Sequence, residues 1–139
     1  KLGAINIAAS YYDEAIEATE KYRKIDTTNI AVNRQNALAY CLKQDYPTAI
    51  RRYQYLVNQG DSTFHTCYYL GISYYAIERY YEAHDFLEAA RKYDPENVNL
   101  LYYLCQDFME ETRSRVSGTS YQFVNTERQQ HGTPLYRHD

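Results

Sequence analysis

Apolar positions along this chain recur at helical intervals. Cys67, Leu70, Gly71 and Tyr74 follow i, i+3, i+4, i+7, and after a short break Ala83, Leu87 and Ala90 follow the same rule. The pattern predicts two helices joined by a tight turn. Shifting the chain by 34 residues superimposes Tyr12, Tyr46 and Tyr80, and likewise Ala15, Ala49 and Ala83. Tyr40, Tyr74 and Phe108 keep that interval, as do Gly3, Ala37, Gly71 and Cys105, and Leu70 and Leu104 with Leu2 two intervals earlier. Small residues match small and aromatics match aromatics, which marks an internal repeat. The helix pair's core is expected to draw on Ala15, Ala37, Tyr40, Ala49, Tyr53, Leu70, Gly71, Tyr74, Ala83, Leu87, Leu104 and Phe108.

The run Leu70-Gly71-x-x-Tyr74, followed by Ala83, Leu87, Ala90 and Asp94-Pro95, resembles the tetratricopeptide repeat. Ala37, Tyr40, Ala49, Tyr53 and Leu56 make a second copy, and residues 11–26 resemble the second helix of another. Cys67 stands where the family often has Trp, Asn36 where it has Leu, and Thr27 where it has a closing Pro. The resemblance implies an all-α fold, a right-handed α-solenoid of antiparallel helix pairs with about three and a half repeats. The repeat domain then covers 1–112, with units at 1–29, 30–63 and 64–97 and a leading helix at 98–112. The first unit enters in the middle of its leading helix, because Leu2-Gly3 already occupies the Leu-Gly step. Thr28-Asn29 and Asp61-Ser62-Thr63 offer N-caps, Gly60 suits a helix end, and Pro47 and Pro95 suit a first turn. The polar segment 113–139 is expected to hold an extra helix at 119–131 and then a mobile tail.

Composition narrows the function classes. Of 139 residues 45% are hydrophobic, which suits a domain with a core, and the net charge of −3 argues against a nucleic-acid or anionic-membrane partner. No apolar run reaches the roughly eighteen residues of a membrane span. The chain opens KLGAINIAAS, without Met or a basic-apolar leader, which suggests an excised segment and leaves the compartment open. Cys41, Cys67 and Cys105 lack CxxC spacing and read as small buried hydrophobes. His65, His84, His131 and His138 form no HExxH and no metal spacing with Cys. No nucleophile elbow, phosphate loop or dinucleotide fingerprint occurs, so no catalytic residue, metal or cofactor is expected.

That leaves the 18 tyrosines. On a wheel of the helix over 65–77, Cys67, Leu70, Gly71 and Tyr74 share the core arc. His65, Tyr69, Ile72 and Ala76 lie opposite, with Tyr68 and Tyr75 at the margins. The family resemblance implies that first helices line a concave groove where partner segments bind. Arg34, His65, Tyr68, Tyr69, Ile72, Tyr75, Tyr102, Tyr103 and Gln106 are then the expected contacts, and a protein or peptide the expected partner. Family members that grip acidic chaperone tails use Lys, Arg and Asn at groove positions. The matching places here hold Arg34, Leu38, Tyr69, Asn99 and Tyr103, which favours an apolar or proline-containing segment or a partner helix. Two other readings of the tyrosines stand beside this one. In the first they only pack, against neighbouring helices or against a tail carrying Tyr121, Phe123 and Leu135. In the second the chain self-associates through end helices, at Leu2 and Ile5 or at 119–131.

Overall fold

The computed structural model describes residues 2–117, with side chains from Ala8 onward. Six α-helices follow one another: α1 (Leu2–Ile25), α2 (Ile30–Leu42), α3 (Tyr46–Asn58), α4 (Phe64–Ala76), α5 (Tyr80–Arg91) and α6 (Val98–Ser117).

Local chemistry sets their ends. Asn29, Asp45, Thr63 and Asn97 each turn a side-chain oxygen to a backbone N–H three residues on, satisfying donors that the first turn leaves open. Pro47 sits in the first turn of α3, where its missing N–H costs nothing. Pro95, expected in a first turn, lies instead in the loop between α5 and α6. Three helices end in the same way. Gln44, Gly60 and Glu78 take the left-handed conformation, at φ 73°, 90° and 65°. The residue after each donates its N–H back to the carbonyl five residues earlier, at 2.9 Å in all three: Asp45 to Tyr40, Asp61 to Leu56, Arg79 to Tyr74. Gln44 and Glu78 are one 34-residue interval apart and make the turns within the second and third helix pairs.

Each helix packs on the next, and α2–α4 and α4–α6 also touch. The result is an all-α helical-repeat array in which α2, α4 and α6 follow one another in a row, α4 touching both of the others. Two apolar clusters fill it. One joins Ala37, Cys41, Ala49, Tyr53, Leu56 and Leu70; the other joins Cys67, Tyr68, Ala83, Leu87, Ala90, Leu100 and Leu104. Tyr69 and Tyr74 pack against both. Gly71 sets the closest approach: a Cβ there would lie 2.8 Å from the Leu87 side chain and 3.2 Å from the Leu87 nitrogen.

The α1–α2–α3 junction is polar instead. Asn36 is fully buried where the repeat has leucine. Its Nδ2 donates to Thr19 Oγ1 at 2.9 Å and Glu20 Oε2 at 3.1 Å, and its Oδ1 accepts from Arg52 Nε at 3.0 Å. A buried amide with these partners is satisfied rather than orphaned. Burial works against ionisation of Glu20, but hydrogen bonds from Arg52, Tyr40 and Asn36 outweigh it and hold the carboxyl at about 2.

Further expectations need correction. Cys105, read as a small buried hydrophobe, is exposed on α6. The leading and second helices of the first unit are one: α1 runs unbroken past Ser10, the position equivalent to Gln44 and Glu78. α6 runs to Ser117 rather than ending at 112, again unbroken at the equivalent Thr112. Phe108, expected in the core, is 64% exposed, because no described helix packs on the side where Phe86 stacks on its equivalent Tyr74. The extra helix at 119–131 lies outside the described residues.

Candidate functional site

The aromatic face grows from the 34-residue register. Tyr69 of α4 and Tyr103 of α6 occupy equivalent positions on first helices, and the contact between those helices brings their neighbourhoods together. The rings form one chain. Tyr69 lies 6.3 Å from Tyr53, 4.9 Å from His65 and 5.1 Å from Tyr68 between centroids. Tyr68 meets Tyr103 edge-on at 6.2 Å, and Tyr103 meets Tyr75 at 5.8 Å and Tyr102 at 5.5 Å, also edge-on. Tyr75 then meets Tyr80 of α5 at 5.6 Å. Perpendicular and tilted pairs place positive ring edges against negative faces, a stabilising geometry for aromatic clusters.

The expected contact residues divide. Tyr69, Ile72, Tyr75, Tyr103 and Gln106 are half-buried, and Tyr102 is 59% exposed, so a wall across α4 and α6 presents rings to solvent. Tyr68 is a correction: it is buried in the second cluster, stacked on Phe64 at 5.1 Å. α4 is flanked by α2, α3, α5 and α6, so a position at the margin of its isolated wheel is covered in the array. His65 is partly buried, its Nε2 3.0 Å from the Tyr53 hydroxyl, and burial, followed by the charge of Arg34, holds its imidazole below the usual range.

Arg34 is a latch. Its Nε donates to Asp61 Oδ2 at 2.8 Å, a second guanidinium nitrogen reaches Oδ1, and Thr66 Oγ1 donates to Oδ2 at 2.8 Å. The forked pair joins α2 to the loop that leads into α4. Hydrogen bonding from Arg34 holds the Asp61 carboxyl below its ordinary value. Of the nine expected contacts, Tyr68 is buried, Arg34 is tied to Asp61 and His65 lies beside the Tyr53 hydroxyl, while the other six keep part of their surface exposed.

Residues outside the expected contact set complete the site. Asp61 closes the latch, Tyr53 anchors the first ring pair, and Tyr80 extends the chain of rings to α5. Burial, then the charge of Glu110, raises Tyr75, and the same causes with Glu78 push Tyr80 up to about 12. These phenols stay neutral hydrogen-bond donors at physiological pH. Asp107 is fully buried on α6 with no hydrogen-bond partner on either oxygen, and His84 Nδ1 is 3.9 Å away. Burial, then the charges of Glu111 and Asp85, pushes its carboxyl up to about 8. Its equivalents Ser73 and Ala39 are small and neutral, so the position carries no signal in the repeat.

Burial raises the Cys41 and Cys67 thiols, the opposite of what a nucleophile needs. Among the described residues no group of three or more His, Cys, Asp or Glu side chains is placed to hold a metal ion, and no helix is long and apolar enough to cross a membrane.

No curated protein matches the chain. Residues 64–97, which contain α4 and α5, match the family model for the tetratricopeptide repeat. Residues 64–97 are similar to a tetratricopeptide repeat and sit in an all-α helical array whose preceding helix pair, α2 and α3, keeps the same 34-residue register.

Proposed function

We propose that the chain is a non-catalytic interaction scaffold whose α2–α4–α6 face takes a peptide segment or a partner helix in a tyrosine-lined groove. The tetratricopeptide repeat at 64–97 suggests a protein-interaction scaffold in general terms. The observation that carries the finer reading is the outward share of the ring chain. Tyr103 holds Tyr75 and Tyr102 by ring contacts across α4 and α6 before any partner arrives, and Tyr69, Ile72 and Gln106 lie half-buried on the same two helices. Preorganised rings offer contact area and hydroxyl donors while losing little side-chain freedom on binding. Exposed tyrosines elsewhere, such as Tyr11 and Tyr93, lie outside this chain of rings.

Selection of a displayed library of random linear peptides on the immobilised protein tests this reading. Recovered peptides should lose binding to an Ile72→Ser/Tyr102→Ala variant of unchanged helicity and keep it for Tyr93→Ala. Peptides that bind all three proteins alike would place recognition elsewhere.

A second reading, self-association, is favoured by one observation. α6 leaves Leu101, Phe108, Met109 and Val116 exposed, with Leu101 and Phe108 seven residues apart on one side of the helix. Sedimentation velocity across a concentration series separates the two, since only self-association gives a concentration-dependent dimer that Phe108→Glu abolishes.

A further inference from the structure

We infer that the groove, beside the α4–α5 turn, receives a basic side chain, so that the partner segment carries an Arg or Lys next to apolar or aromatic residues. The inference rests on the groove reading above and deepens it to a partner of stated chemistry.

Three rings meet at this end. Tyr75 lies 5.6 Å from Tyr80 at 61° and 5.8 Å from Tyr103 at 79°. Half-buried rings keep part of their surface open to solvent, and the face of a phenol ring attracts a cation. Carboxylates add to that attraction. Glu110 is two turns along α6 from Tyr103 and on the same side of the helix, with Gln106 between them. Of the charged groups acting on Tyr75 and on Tyr80, Glu110 acts most strongly on both, after burial itself. Glu78, in the turn, also acts on Tyr80.

The nearby cations are engaged or solvated. α4 carries no Lys or Arg, Arg34 is committed to Asp61, and Arg79 pairs with Glu82. Arg113 pairs with Glu110 at 3.4 Å, but its side chain is three-quarters exposed, and such a pair contributes little and is readily exchanged. An incoming guanidinium or ammonium would meet ring faces and a carboxylate together, less fully hydrated than at the open surface. A phosphorylated or acidic segment would meet the same carboxylates as repulsion.

The test uses labelled peptides from the library selection, measured by fluorescence polarisation. We expect groove-binding clones to carry an Arg or Lys, and Glu110→Gln to weaken them by about three- to tenfold. Replacing that peptide Arg with citrulline, or Lys with acetyl-lysine, should cost as much on the wild type and much less on Glu110→Gln, because both changes remove one interaction. Clones that lose binding on Ile72→Ser/Tyr102→Ala yet are neutral or acidic, or are indifferent to Glu110→Gln, would overturn this inference and leave the groove reading standing. Clones indifferent to Ile72→Ser/Tyr102→Ala would overturn both.

Discussion

At the scale of single residues, positions that look alike in the repeat carry different loads. Ala37 and Gly71 share a register position, but at Gly71 Leu87 leaves no room for a methyl group. Gly71→Ala gains about 1 kcal/mol of helix propensity and meets an overpacking cost of roughly 1–3 kcal/mol. We expect a net loss of stability in urea unfolding; an unchanged or raised midpoint would mean that α4 and α5 are less closely packed than described. Asp107 makes a sharper prediction. Its folded carboxyl is held near 8, against an ordinary 3.8, so between those values the native state keeps a proton that the unfolded chain has released. Stability therefore falls as pH rises through that window, by at most about 1.4 kcal/mol per pH unit. Asp107→Asn should remove that slope and exceed the wild type in stability at pH 8.5, read from denaturation midpoints across pH; parallel profiles would contradict it. The sequence held no sign of this group, because its equivalents Ser73 and Ala39 are neutral and a buried acid looks like any other acid in a helix. Tyr68 failed for another reason: a helical wheel describes one helix, and four neighbours flank this one.

At the scale of elements, the periodicity gave the second and third helix pairs closely, since apolar spacing, N-caps and Gly60 all agreed. It misjudged α1 and α6 because it assumed a turn in every unit. A turn at this position puts a residue with a side chain into the left-handed region, at roughly 1–2 kcal/mol, and only the packing of both arms offsets that. At Gln44 and Glu78 both arms pack. At Ser10 and Thr112 no second described helix closes on the arm, and the helix runs straight on. The exposure of Phe108 follows from the same continuity. Glu78→Gly should therefore stabilise the protein by a few tenths to about 1 kcal/mol, the relief of the left-handed strain being partly offset by the entropy of glycine. A thermal melt checks it; a lowered midpoint would mean that the Glu78 side chain contributes more than its backbone costs.

At the scale of the whole molecule, the array has two characters. A polar network around Asn36, Glu20 and Arg52 seals the α1–α2–α3 end, while aromatic and aliphatic packing fills the α4–α5–α6 end. The outward rings lie at the second end, on the row where α4 meets α6. The nearness of the tyrosines of α4 and α6 was legible in the sequence, because equivalent positions on successive first helices align. The influence of Glu110 on Tyr80 was not legible, because one stands on α6 and the other opens α5, and they approach only on folding. The central claim is that this row of first helices is where a partner binds. Hydrogen–deuterium exchange with and without a library-selected peptide tests it most directly. We predict new protection in α4 and in the first three turns of α6, with α1 and α3 unchanged. Protection confined to α1 or α3, or protection of α6 that grows with protein concentration and not with peptide, would contradict it.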